Sequence, residues 1–197
     1  MSHKLIDMST TPVRLLNPVV VDANVVVAQF LALGTRGSPR SAARINRFFA
    51  DLASAEYRAI LTPTGYSEVL HAAIRVRYEQ ELRLNREQIT ARCGRRITSW
   101  NELYNRDPSI AREHEPVLDD LRHAFIGTNI AIATPTDLGP IPSGRPFDEE
   151  LVRLIGRYGL DTNDALILME ASRLGISAIV TMDRDMHRAL PDFDIYT

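Results

Sequence analysis

Residues 18–27 read Pro-Val-Val-Val-Asp-Ala-Asn-Val-Val-Val, and the polar break in the middle decides the fold. Pro18 to Val21 is a short, continuously apolar run, the pattern of a strand buried on both faces of a parallel sheet; a half-solvated strand would alternate instead. Val25 to Leu33 continues as an apolar helix that Gly34 ends. Asp22 therefore stands at a strand-to-helix junction. In an open parallel sheet such junctions share the carboxyl edge, where ligands bind.

Working outward, strand and helix alternate. Ser38 and Pro39 read as N-cap and first turn of a helix whose buried face is Ile45, Phe48, Phe49 and Leu52. Arg58 to Leu61 is a second short strand, and Thr62-Pro63-Thr64 opens a helix carrying Glu68, Leu70 and Ile74. Pro116 to Phe125 is amphipathic, and Ile130 to Ala133 is a third strand. Thr134 to Pro146, with four prolines and two glycines, is a loop expected to border the active edge. Helices follow over Phe147 to Tyr158, stopped by Gly159, and over Thr162 to Leu174, stopped by Gly175. Ser177 to Val180 is the fourth strand, and Phe193 to Tyr196 a fifth at the sheet edge. The succession predicts an α/β chain with a mainly parallel sheet covered by helices on both faces.

At 197 residues and 45% apolar content, the chain is one domain's worth. Residues 1–17 read as a loosely held tail, and 18–197 as a single domain with a basic helical insertion at about 75–115. The formal charge of -2 makes any basic footprint local. Of 23 basic residues only Lys4 is a lysine, and it lies in the tail. Schiff-base enzymes, Walker-A nucleotide sites and aspartyl-phosphorylating folds all need a placed lysine, so the sequence argues against them. The lone Cys93, the lack of a secretory signal and the absence of a long apolar span lead to the expectation of a soluble, cytoplasmic protein with no membrane partner.

Arg75 to Arg96 holds seven arginines against Glu79, Glu81 and Glu87, a local charge of +4, with a thin core signal. Glu79 and Arg83 are spaced as an i,i+4 pair that supports an exposed helix ending near Gly94. Two readings stand side by side. Arg75, Arg77, Arg92, Arg95 and Arg96 contact RNA phosphates while Trp100 and Tyr104 stack on unpaired bases, or the stretch is a solvated charged helix with Trp100 packed as core.

Four acids fall at the strand ends and helix starts: Asp22, Glu68, Asp164 and Asp183. Each has a purely structural reading. Asp22 or Asn24 caps the first helix; Asp161, just before Thr162, is a better capper of its helix than Asp164. Glu68 alone would be a solvated helix residue, but it lies near the buried face. Asp183 and Asp185 flank Arg184 in a turn, where one of them stabilises the turn itself. His71 reads as a packed or solvated helix residue, or as a group supporting the acids. Four independent caps have no reason to share one edge of one sheet, however, and clustered carboxylates call for a hard cation, Mg²⁺ or Mn²⁺.

Taken in order, VVVDANVVV, YSEVLHAAI, DALILMEASRLG and IVTMDRDM resemble the PIN-domain nucleases, and among them the toxin ribonucleases of bacterial toxin–antitoxin pairs. The resemblance implies a three-layer α/β/α fold, here with an enlarged helical insertion. It further implies Asp22, Glu68, Asp164 and Asp183 gathered around one or two Mg²⁺ or Mn²⁺ ions for RNA phosphodiester hydrolysis. Asn24 and Thr181 match polar positions that support such acids, with Asp161 and Asp185 beside them. Homodimers and control by an antitoxin protein are implied as well. A non-catalytic PIN module that binds RNA or protein is the alternative reading.

Overall fold

The computed structural model describes residues 3–8, 17–31, 39–54 and 58–197. Gly34 and Ser38, expected as helix stop and N-cap, lie outside them, as does most of the expected tail. Six strands form one sheet, parallel throughout: β1 (Leu5–Ile6), β2 (Val19–Val21), β3 (Ala59–Leu61), β4 (Ile130–Ile132), β5 (Ala178–Val180) and β6 (Asp194–Tyr196), in the order β1-β6-β5-β2-β3-β4. Helices flank it on both sides as a three-layer α/β/α arrangement: α1 (Ala23–Phe30), α2 (Pro39–Ala53), α3 (Pro63–Leu84), α4 (Arg86–Cys93), α5 (Trp100–Arg106), α6 (Ser109–Glu113), α7 (Glu115–Gly127), α8 (Phe147–Tyr158) and α9 (Thr162–Arg173). The chain steps from β2 outward through β3 to β4, then returns on the other side of β2 to lay down β5 and β6. Strand order thus reverses between β2 and β5, which makes their carboxyl ends the crevice of the sheet.

The uninterrupted valines of β2 are explained by burial: Val19, Val20 and Val21 are at most 1% exposed between β3 and β5. Sheet and flanking helices share one core, in which Phe30 packs edge-on against Phe49 and Phe125. Thr62 caps α3 by accepting the Gly65 N–H at 3.1 Å, as the Thr-Pro-Thr start predicts. Thr62→Val keeps the shape and removes the acceptor. It is expected to cost about 1 kcal/mol, a midpoint lower by roughly 2–4 °C in thermal unfolding.

Three expectations need correction. The first residues are not a loose tail: β1 covers β6, with Ile195 N–H donating to the Lys4 carbonyl at 2.9 Å and Met8 N–H to the Thr197 carbonyl at 2.8 Å. Met8 is 1% exposed. Without β1, β6 would present a row of unpaired backbone groups, so β6 is an inner strand and not the edge. Lys4 belongs to the fold, but its N–H meets Asp194 at the amino end of β6, on the sheet edge opposite Asp22.

Next, the 134–146 loop does not line the carboxyl edge along its length. Gly139 is fastened to the C-terminal end of α9, donating its N–H to the Arg173 carbonyl at 3.2 Å and accepting from Arg173 Nε at 2.7 Å.

Finally, the insertion is not thinly packed. Tyr78, Leu82, Ile89, Ile97, Leu103 and Ile110 form a second buried cluster, with Ile74, Cys93, Trp100 and Ala111 against it. Tyr78 is fully buried, and its hydroxyl bridges the Asp107 carbonyl at 2.8 Å and the Ala111 N–H at 3.2 Å, binding α3 to α6.

Candidate functional site

Each of the four acids is delivered by a different element to the carboxyl edge of the sheet. Asp22 leaves β2 and occupies the N-cap position of α1, yet its side chain makes no capping bond. Oδ2 instead accepts from Asn24 Nδ2 and from Thr181 Oγ1, both at 2.6 Å. Thr181 follows β5, so the bond spans the two central strands at the point of reversal. Asn24 completes the tie, its Oδ1 accepting the Met182 N–H at 3.1 Å. The Asn24 backbone N–H also holds the Asp22 carboxylate. The supporting roles expected of Asn24 and Thr181 are thus present in the geometry.

Asp183 begins the turn after β5, its N–H held by Thr181 Oγ1 at 2.9 Å and its Oδ1 accepting the Asp185 N–H at 2.8 Å. The Asp185 side chain pairs with Arg188 at 2.8 Å, so what Asp185 gives the cluster is its backbone N–H on Asp183. Glu68 lies one turn into α3 and is oriented by Asn163 Nδ2 at 2.7 Å. Asp161 caps α9 by accepting the Asp164 N–H at 2.9 Å, which leaves the Asp164 carboxylate free of that task.

The four acids are close enough to feel one another. Burial pushes the Asp22 carboxyl up to about 6, against the Thr181 hydrogen bond, with the charges of Glu68 and Asp183 adding to the rise. Asp164 is pushed up to about 7, first by burial and then by the charges of Asp161, Asp22, Asp183 and Glu68. Glu68 is raised by burial, opposed by Asn163. Asp22 is 4% exposed. Among the described residues none of the four has an ion-pair partner, although ion pairs are frequent elsewhere in the chain.

An excess of negative charge carried entirely on oxygen donors, buried at Asp22, half-buried at Glu68 and Asp164 and exposed at Asp183, fits a hard divalent cation. Among the described residues no group of three or more His, Cys, Asp or Glu side chains is arranged so that it could hold a metal ion. The donors fit Mg²⁺ or Mn²⁺ in charge and chemical type.

Two residues of the site escape the sequence reading. Asn163 sits in the first turn of α9 beside two acids that draw more attention. Glu170, 8% exposed, receives the Thr64 N–H at 3.1 Å and the Thr64 hydroxyl at 2.8 Å, clamping the start of α3 to α9. Its signal was a carboxylate inside the apolar run of DALILMEAS, which on burial must find a partner. His71, by contrast, packs edge-on against Trp100 with ring centroids 5.3 Å apart.

The basic insertion is more neutral than its composition. Arg75 pairs with Glu79 and Arg77 with Glu81, both at 2.7 Å, Arg92 with Asp107 at 2.6 Å, and Arg95 with Glu102. Glu79 thus takes Arg75 rather than Arg83. Of the five arginines expected to meet RNA, only Arg96 has no ion pair among the described residues. A cavity of about 470 Å³ beside the C-terminal end of α9 is remote from the acids, and its Arg153 and Arg157 are held by Glu150 and Asp192.

Comparison with protein-family models and with curated proteins returned no match. No helix among the described residues is long and apolar enough to cross a membrane.

Proposed function

We propose that this protein is a metal-dependent endoribonuclease, with Asp22, Glu68, Asp164 and Asp183 as the residues that would hold Mg²⁺ or Mn²⁺. The observation that carries this reading is the gathering of carboxylates without ion-pair partners among the described residues at the point of strand reversal, where burial raises Asp22 and Asp164 and the charges of neighbouring acids add to the rise. A structural set of caps and turns has no need of charges that oppose one another. When bound, the cation supplies positive charge to the scissile phosphate and eases ionisation of an attacking water.

The chain's own residues prepare that site. Thr181 and Asn24 hold one oxygen of Asp22 and fix the carboxylate at the strand end. Asn163 fixes Glu68, whose raised proton affinity suits it to orient or deprotonate water. Asp164, raised to about 7 by burial and the surrounding acids, would give up its proton more readily beside a bound cation. The Glu170 to Thr64 clamp keeps α3 and α9, and so Glu68 and Asp164, in register.

The test is cleavage of a panel of mixed single-stranded RNAs by the wild type and by Asp164→Asn purified in the same way, in Mg²⁺, Mn²⁺ or EDTA. Cutting by the wild type is expected in either metal, lost in EDTA and lost in the variant. Equal traces from both proteins would mark a contaminant and leave a binding module as the better account.

A further inference from the structure

We propose that a groove in the insertion, lined by Arg83, Arg86, Arg96 and Trp100, binds the single-stranded RNA that the carboxylate cluster acts on. The inference rests on the nuclease reading for its substrate, but its residues are independent of the four acids.

The charge count singles out these arginines. Seven arginines lie between residues 75 and 96, and four are neutralised by Glu79, Glu81, Asp107 and Glu102. Arg83, Arg86 and Arg96 remain, exposed and with no ion pair among the described residues. They are not scattered. Arg83 and Arg86 line a cavity of about 610 Å³ with Thr98, Ser99 and Trp100, and Arg86 continues into a second of about 410 Å³ with Thr90 and Arg96. The carboxylates facing the groove are Glu79, already paired with Arg75, and Glu87. The groove therefore keeps an excess of positive charge beside an indole, the combination that holds backbone phosphates while a base stacks.

The groove is also joined to the proposed active site by a rigid element. Glu68, His71, Arg75, Glu79 and Arg83 recur every three or four residues, so they share one face of α3. Trp100 packs on His71 of that same face. At 1.5 Å per residue, Glu68 and Arg83 are about 22 Å apart along the helix. That separation is within the span of a strand of roughly 4–16 nucleotides, the usual size of such sites. The second hydrophobic cluster explains why the platform holds its place: Leu82 and Ile97, which line the groove, are also part of that core.

Trp100 is the only tryptophan of the chain, so its emission reports on this groove alone. Short single-stranded RNA is titrated in Mg²⁺ buffer into Asp22→Asn, which is used to suppress cutting. Binding is followed by Trp100 emission and by anisotropy of labelled RNA. The expected result is saturable quenching. Adding Arg83→Ala, Arg86→Ala and Arg96→Ala together should weaken binding by about tenfold or more at low salt. The slope of log affinity against log salt should then shrink by about 2, three phosphate contacts at roughly 0.7 each. Arg122→Ala on α7 should leave both unchanged.

Unaltered emission, a triple variant with the parent's affinity and slope, or quenching by an acidic peptide but not by RNA would each overturn the proposal. Cleavage plays no part in this readout. A protein that binds through the groove and cuts nothing loses the nuclease reading and keeps the groove; one that cuts RNA with unchanged affinity after the three replacements keeps the nuclease and loses the groove.

Discussion

Asp22→Asn is expected to lower RNA cleavage by about 10²–10⁴-fold while giving a folded protein that is more stable than the wild type at neutral pH. Both halves follow from one environment. Asparagine keeps the shape of the side chain, and its carbonyl oxygen can accept from Asn24 Nδ2 and the Thr181 hydroxyl as Oδ2 of Asp22 does. What it removes is a buried negative charge set among Glu68 and Asp183. On the proposed function a bound cation would lose a ligand and the catalytic step its charge, whereas the metal-free fold is relieved of a desolvated charge and of its repulsion with Glu68 and Asp183. A residue of purely structural value would behave in the opposite way, since replacing it lowers stability first and activity through it. Paired measurements of kcat/KM and of the denaturation midpoint in EDTA separate the two. Lowered stability together with lowered activity would assign Asp22 to the scaffold.

How far the chain can be read without coordinates depends on whether the signal is local. Val19 to Val21 and Ala178 to Val180 are legible as strands because a central parallel strand is buried on both faces and needs no alternation. The three-layer fold and the shared edge of Asp22, Glu68, Asp164 and Asp183 follow from such runs and from the helices after them. Leu5 and Ile6 give no such signal, because a two-residue strand is defined only by its partner β6. The second core is equally hidden: Tyr78, Leu82, Ile89, Leu103 and Ile110 come from four helices, so none shows a full apolar stripe. Two of the arginine pairings are hidden for the same reason. Asp107 and Glu102 neutralise Arg92 and Arg95 across intervening turns, which no spacing rule reveals.

The metal-free wild type is expected to lose stability as pH rises from about 4 to 8, against the usual behaviour of carboxylates, and Asp22→Asn to lose less. Asp22 has a proton affinity of about 6 in the folded chain against 3.8 unfolded, and Asp164 about 7 against the same 3.8. Between those values the native state binds more protons than the unfolded state, so stability falls with rising pH. The contribution is whole below pH 3.8 and is lost as pH passes through about 6 for Asp22 and about 7 for Asp164. For Asp22 alone the shift of about two units corresponds to roughly 3 kcal/mol at 1.36 kcal/mol per unit. The stability gap between Asp22→Asn and wild type should therefore widen by about 2–3 kcal/mol from pH 4 to pH 8. In a chain of this size that is a relative midpoint shift of roughly 4–12 °C. Urea unfolding in EDTA across this range measures it. A gap that stays constant with pH would mean that Asp22 ionises normally and that the carboxylates do not share a field. Saturating Mn²⁺ should flatten the wild-type dependence, because a bound cation displaces the same protons, and should leave the variant's nearly as it was.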